Sequence, residues 1–291
     1  MNWTTDQFQV ELPEIYQIEL TNACNLACSA CIRTDPRVAR SIGHMNPALV
    51  QMMLDRGDFA GSYFVELQMY GEPLCSPYFD QIVDMLYGHR FKLGMSTNGM
   101  LMNDIKTIDL LDYVTVSIDS PVKERYETRR PGASFNRLIH TINTRILGPK
   151  LDLQVIKFHD HPSELPELIE LARRMEWDDV TCREVPDCFA SYQGRPYPEE
   201  QRHQLCLNPW LSVSVQWDGD VVPCCFAAGK DIVYGNLYEQ DLKTIWCESK
   251  TRQVLMATMR DNFNQNSMPC RLCYMRSPVL FHLRMFMEEI R

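Results

Sequence analysis

The 291-residue sequence has no apolar run long enough to cross a bilayer, which takes about 20 consecutive apolar residues. Its start, Met1-Asn2-Trp3-Thr4-Thr5-Asp6, has no basic stretch leading into an apolar core, so it lacks a secretory signal. These absences predict a cytoplasmic protein with no membrane partner. Excess positive charge is missing too. The formal net charge is -9 and the pI about 5.3. That balance argues against a broad phosphate-binding surface, and no nucleic-acid partner is expected. Arg125, Arg129 and Arg130 cluster before Pro131-Gly132, but Glu124 and Glu127 interleave with them. That segment reads as a solvated loop. Internal repeats and low-complexity tracts are absent. Apolar content of 45% and charged content of 23% are ordinary for a globular chain. The length allows one large domain, or a large one and a small one.

Cysteine, by contrast, is plentiful. Twelve is many for a chain in a reducing compartment, where metal binding and catalysis are the usual uses. Three stand together as Cys24, Cys28 and Cys31, spaced C-x3-C-x2-C after the strand-like run Tyr16 to Leu20. Three thiolates make a poor structural zinc site, which wants four ligands. They suit a cubane iron–sulfur cluster with one iron free of protein ligands. Buried cysteines without a role, or part of a zinc site, is the competing reading. Cys206, Cys224, Cys270 and Cys273 form a second set, which by itself suits either an iron–sulfur cluster or a zinc ribbon. Of the remainder, Cys75 and Cys247 read as small buried hydrophobes. Cys225 is a possible spare ligand. Cys182 and Cys188 lie near the end of a predicted strand, where a thiol can donate a hydrogen atom to a substrate radical.

From residue 15 to about 185, strand-like and helix-like runs alternate. Strands are predicted at 15–20, 63–70, 92–97, 113–119, 151–158 and 179–185. Helices are predicted at 46–56, 77–88, 103–110, 134–146 and 163–176. Asn46 caps the first helix with Pro47 in its first turn, and Ser163 caps the last. Such alternation implies parallel strands with helical crossovers, as a partial barrel or an open doubly wound sheet. The strands alternate polar with apolar residues, as in Tyr16-Gln17-Ile18-Glu19-Leu20 and Val65-Glu66-Leu67-Gln68-Met69. One face of the sheet is thus apolar, and the other suits a cavity for polar ligands. Arg183, Lys157, Glu66 and Gln68 are candidates for polar contacts or proton transfer. His159 and His161 receive no role. Residues 186–205 read as a linker, from Pro186 and Gly194-Arg195-Pro196-Tyr197-Pro198. Leu211–Trp217 and Val221–Cys225, joined by Asp218-Gly219-Asp220, predict a β-hairpin. Helices are expected over 241–260 and 278–290.

The cysteine loop resembles the signature of the radical S-adenosylmethionine (SAM) enzymes. Tyr70-Gly71-Glu72-Pro73 resembles that family's Gly-Gly-Glu-Pro motif, with Tyr70 in place of the first glycine. Ser96-Thr97-Asn98-Gly99 looks like its ribose and carboxylate contact. The resemblance implies that Cys24, Cys28 and Cys31 hold a [4Fe-4S] cluster whose open iron is chelated by SAM. It implies SAM contacts from Gly71, Glu72, Pro73, Ser96, Asn98, Ser117 and Asp119, with Val155 and Ile156 flanking adenine. Ala30 departs from the larger residue the family often places before its third cysteine. Cys206, Gly219-x4-Cys224 and Cys270-Arg271-Leu272-Cys273 resemble the SPASM/twitch extension of the family. This implies one auxiliary [4Fe-4S] cluster held by Cys206, Cys224, Cys270 and Cys273.

The fold then expected is α/β. A partial (β/α)6 TIM-like barrel over 15–185 follows a lead-in at 1–14. The linker at 186–205 leads to a small α+β twitch/SPASM domain with its hairpin at 206–291. The expected activity is reductive cleavage of SAM to a 5'-deoxyadenosyl radical and hydrogen abstraction from a substrate. The substrate is expected to be a small polar metabolite undergoing dehydrogenation, since the first strand begins too near the start to leave room for a peptide-leader domain. Peptide maturation by crosslinking or epimerisation is the alternative, and a non-catalytic iron–sulfur or zinc protein a third reading. A flavodoxin- or ferredoxin-type reductant is the expected partner. Cys182, Arg183 and Lys157 are the candidate catalytic residues.

Overall fold

The computed structural model describes residues 10–34, 39–145, 150–157, 162–177, 180–186, 206–225, 227 and 232–260. Cys188, His159, His161, Cys270, Cys273, most of the expected linker and the expected helix at 278–290 lie outside the described residues.

Six strands alternate with helices as the sequence pattern predicts. They are β1 (Glu14–Ile18), β2 (Phe64–Glu66), β3 (Lys92–Thr97), β4 (Tyr113–Ser117), β5 (Lys150–Lys157) and β6 (Val180–Pro186). Between them lie α1 (Pro47–Arg56), α2 (Phe79–Leu86), α3 (Lys123–Arg129), α4 (Phe135–Arg145) and α5 (Leu165–Arg174). The C-terminal part adds α6 (Asn208–Leu211), β7 (Ser212–Val215), β8 (Asp220–Val222), β9 (Gly235–Asn236), α7 (Leu242–Glu248) and α8 (Lys250–Arg260). The nine strands among the described residues form one open sheet in the order β6-β5-β4-β3-β2-β1-β7-β8-β9. Strands β1 to β6 are parallel to their neighbours, as the alternation implies, in the unclosed barrel that the family resemblance implies. The hairpin forms as Asp218-Gly219 predicted, with β7 antiparallel to β8 and Gly219 at φ 86°. The small C-terminal unit is not detached from the barrel. Its strand β7 pairs in parallel with β1, through Glu14–Ser212 and Ile18–Val215, and extends the barrel sheet.

Capping sets several boundaries. Asn46 Oδ1 accepts from Ala48 N (2.9 Å) at the start of α1, and Gly57 ends it at φ 71°. Ser163 Oγ accepts from Leu165 N (3.2 Å), but the N-cap position of α5 is Glu164, one residue past the serine expected to cap it. The expected helix at 103–110 is two short 3-10 turns, Met102–Asp104 and Thr107–Leu110. The expected helix at 241–260 is broken at Ser249 into α7 and α8. The arginine-rich segment read as a solvated loop is instead helix α3, with Arg130 buried behind it.

Cross-strand register shows how the two faces divide. Val116, Leu153 and Cys182 are aligned partners, as are Met95, Val114 and Leu151. This face packs with Met53 of α1, Ile82 and Leu86 of α2, Leu138 of α4 and Leu168 of α5 in one core cluster. Each such fully buried aliphatic side chain contributes about 1.5–3 kcal/mol. The opposite face aligns Ser96, Thr115, Asp152 and Thr181, and Ser117, Gln154 and Arg183. Gln17 and Glu66 are paired on the same side of the sheet. The predicted polar inner face is therefore real.

Candidate active site

The cysteine loop leaves β1 at its C-terminal end and is pinned from three directions. At its base, Thr21 Oγ1 donates to Gly43 O (2.7 Å), and Asn22 exchanges bonds with Ser41 O (2.8 Å) and Gly43 N (2.8 Å). In its middle, Ser29 N donates to Arg129 O (3.1 Å). Inside the loop, Arg33 Nη2 donates to Leu26 O (2.6 Å), and Cys31 N donates to Cys28 O (3.1 Å).

Gly71 and Glu72 supply the third anchor. Glu72 N donates to Ala23 O (2.8 Å), one residue before Cys24. A Cβ on Gly71 would run into Thr21 O and lie 2.5 Å from Ala23 O, so close backbone approach demands glycine here. Pro73 starts a buried 3-10 turn. The Glu72 carboxylate is fully engaged. Its Oε1 accepts from Thr97 Oγ1 (2.6 Å) and Leu74 N (3.4 Å), and its Oε2 from Asn98 N (2.8 Å). Burial raises its pKa. The side chain braces the ends of β2 and β3.

Asn98 Nδ2 donates to Asn25 Oδ1 (2.8 Å) and lies 4.0 Å from Cys24 Sγ, which joins the end of β3 to the cysteine loop. Ser96 donates to Glu66 Oε1 (2.7 Å), two strands from the loop. Ser117 lies on the inner face and is half-buried. Asp119 adopts φ 48°, a left-handed conformation that Asp tolerates better than most residues. Its Oδ2 accepts from Arg130 Nε (2.6 Å) and its carbonyl from Arg129 Nη1 (2.6 Å). Its Oδ1 is buried without a hydrogen-bond partner. Val155 is wholly buried in the core, whereas Ile156 is half-buried on the other face. Adjacent strand residues point to opposite sides, so the two cannot flank one ligand together.

The expected catalytic trio separates as well. Cys182 shares the apolar face with Val116 and Leu153 and packs against the core, which excludes it from the inner face. Arg183 lies on the inner face, where its Nη2 donates to Thr115 Oγ1 (2.9 Å) and its Nε is buried without a partner. Lys157 is the last residue of β5, aligned with Pro186. Glu66, fully buried, accepts from Ser96 and from Tyr16 (3.4 Å), and burial raises its pKa.

Two groups escaped sequence reasoning. One is the buried Arg130–Asp119 pair together with the Arg129–Glu164 ion pair (2.7 Å), whose partners are distant in sequence. The other is Cys75. It was expected to be a buried hydrophobe but is half-buried, with its Sγ 3.9 Å from Asn25 Oδ1, as is that of Cys24. Cys247, expected to be buried, is exposed.

The donor chemistry of the loop fits an iron–sulfur cluster. Cys24, Cys28 and Cys31 are half-buried free thiols close enough for their charges to interact. Burial pushes Cys28 up to about 11, a cost that binding to iron as thiolate would offset. Among the described residues no group of three or more His, Cys, Asp or Glu is spaced to hold a single ion. In the second set, Cys206 precedes α6 and Cys224 follows β8. Antiparallel pairing puts both at the open end of the hairpin, level with the start of β1. Cys206 and Cys224 thus lie at the opposite end of β1 from the Cys24 loop.

Residues 18–146 match the radical SAM superfamily, and residues 206–274 match the SPASM iron–sulfur cluster-binding domain. The chain is a radical SAM protein with a C-terminal SPASM-type domain. These families imply a SAM-binding [4Fe-4S] cluster and auxiliary iron–sulfur binding. It is 25% identical over 292 residues to the tungsten-containing aldehyde ferredoxin oxidoreductase cofactor-modifying protein of Pyrococcus furiosus, covering 80% of each chain. It is 24% identical over 246 residues to the SAM-dependent 2-deoxy-scyllo-inosamine dehydrogenase of Niallia circulans, covering 82% of this chain and 84% of that protein. Among solved structures it resembles Streptococcus suis SuiB bound to SAM, with a TM-score of 0.66 at 16% identity over 93% of this chain and 73% of SuiB. SuiB has also been solved with its precursor peptide SuiA. No helix among the described residues is long and apolar enough to cross a membrane.

Proposed function

We propose that this radical SAM enzyme dehydrogenates a small polar metabolite held on the inner face of the barrel. The observation that carries the reading is the polar face itself, lined by Glu66, Ser96, Thr115, Gln154 and Arg183. Likeness to the 2-deoxy-scyllo-inosamine dehydrogenase, of which this chain covers 84%, supports it.

In this reading Cys24, Cys28 and Cys31 hold the SAM-binding cluster, and Cys206, Cys224, Cys270 and Cys273 the auxiliary one. When bound, the first cluster supplies the electron that cleaves SAM to a 5'-deoxyadenosyl radical. Gly71, Pro73, Asn98 and Ser117 shape the SAM site, and Ile156 lies beside the adenine. Arg183 and Glu66 orient the substrate through its oxygen or nitrogen atoms. Dehydrogenation would take from the substrate one hydrogen atom, one proton and one electron, and a cluster held by Cys206, Cys224, Cys270 and Cys273 would serve as acceptor for the electron. A carboxylate with a raised pKa, as at Glu66, suits the base that takes the proton. The placement of Cys182 on the apolar face weighs against that thiol as a hydrogen donor for epimerisation, whereas Cys188 lies outside the described residues. A flavodoxin- or ferredoxin-type protein is the proposed electron donor.

The test is anaerobic reconstitution, followed by reduction in the presence of SAM and perdeuterated aminocyclitols, 2-deoxy-scyllo-inosamine among them. The expected result is 5'-deoxyadenosine carrying deuterium, with a matching amount of ketone. SAM cleavage that responds to a precursor peptide and to no polyol would move the chain to peptide maturation. Zinc as the sole metal, with no cleavage, would remove the catalytic reading.

A further inference from the structure

Arg40 is a buried cation that the proposed chemistry does not use. Its side chain is 6% exposed and that of its partner Glu19 is fully buried. The Nη2 group pairs with Glu19 Oε1, and Nη1 donates to Gln216 Oε1 (2.8 Å). The guanidinium lies 5.5 Å from the centre of the Tyr70 ring. Tyr70 is the residue that replaces the first glycine of the family motif, and a glycine there has no ring to offer.

Each partner belongs to a different segment. Tyr70 precedes Gly71, which packs on the backbone beside Cys24. Ser41 and Gly43, just after Arg40, are bonded to Asn22 and Thr21 at the base of the same loop. Glu19 N donates to Val215 O (2.8 Å), and Glu19 Oε2 accepts from Trp217 N (3.3 Å). Gln216, wholly buried, donates from Nε2 to Ala227 O (3.5 Å), and Ala227 N donates to Cys224 O (3.1 Å). A continuous set of bonds therefore runs from the Cys24 loop through residues 39–45 and Arg40 to Gln216, and on to the turn at Cys224.

We propose that Arg40 is the positioning residue that fixes the Cys224 turn relative to the Cys24 loop, acting through Gln216. The inference rests on the assignment of Cys224 to the auxiliary cluster. Hydrogen bonding and burial around a ligating thiolate set a cluster's potential, so the tether acts on the auxiliary centre in particular. Lysine replaces arginine here only in part, because one ammonium keeps the charge beside Glu19 but does not reproduce a planar fork shared between Glu19 and Gln216.

The experiment compares holoenzyme of the wild type, Arg40→Gln, Arg40→Lys, Gln216→Leu and the Arg40→Gln/Gln216→Leu double variant. Each is followed by redox titration monitored by electron paramagnetic resonance. The expected result is a shifted auxiliary midpoint potential in Arg40→Gln and Gln216→Leu, no further shift in the double variant, and a smaller shift in Arg40→Lys. The signal of the first cluster and its response to SAM should stay as in the wild type. Unchanged auxiliary potentials, additive shifts, or parallel loss of both clusters would overturn the proposal. Cys224→Ala serves as the control for the assignment. If that variant keeps both clusters, the ligand assignment fails, whatever Arg40 does.

Discussion

Glu66 shows what a single buried carboxylate contributes and costs. It sits on the inner face with two hydroxyl donors, Ser96 and Tyr16, and feels the charge of Arg183. Desolvation outweighs these and holds its pKa above the ordinary 4.5. The folded state thus binds this proton more tightly than the unfolded chain does. The stability it contributes is fully present below pH of about 4.5 and is lost as pH rises through the raised folded value. Glu19 and Glu72 are raised by the same cause and add to the same slope. Glu66→Gln stays neutral, so its stability should fall less steeply from pH 4.5 upward than that of the wild type. Denaturant midpoints measured across that range check this, and identical slopes would show that Glu66 does not titrate in the fold.

At the scale of elements, α3 and the turn after it lock the end of β4 to the cysteine loop. Arg130 is almost fully buried and paired with Asp119 (2.6 Å). Arg129 joins Asp119 O, Glu164 before α5 and, through its own carbonyl, Ser29 in the loop. Removing one member of a buried pair leaves an uncompensated charge and costs about 3–5 kcal/mol, whereas replacing both costs far less. Arg130→Met should therefore destabilise the holoenzyme by about that amount in denaturant titration. Adding Asp119→Asn should recover most of the loss, because asparagine tolerates φ 48° and needs no cation. A double variant as unstable as the single one would place the role of Arg130 in packing.

For the whole molecule, the junction between β1 and β7 matters most. Without β7, β1 becomes an edge strand, with Ile15 and Ile18 beside an open row of backbone groups. A fragment ending at residue 205 should therefore run as aggregate in size-exclusion chromatography. A monomeric fragment with cooperative unfolding would show that the barrel half stands alone. The same junction brings Gln216 to Arg40 and Trp217 over Gly43, so the two cysteine-bearing parts share one sheet.

The sequence by itself determined the order of the six parallel strands, the hairpin, the polar inner face and the three-cysteine loop. All of these are local signals: alternation with a period of two, a capping asparagine, an Asp-Gly turn, and cysteines a few residues apart. Only the tertiary structure decided matters that depend on residues far apart in the chain. Asp119 meets Arg130 across a turn and a helix. Cys182 and Arg183 fall on opposite faces, because parity relative to β5 is a matter of register. Glu72 turns inward because Thr97 and Asn98, at the end of the next strand, offer it three donors with Leu74. The parallel seam between β1 and β7 joins segments nearly two hundred residues apart, and no periodicity in either strand announces its neighbour.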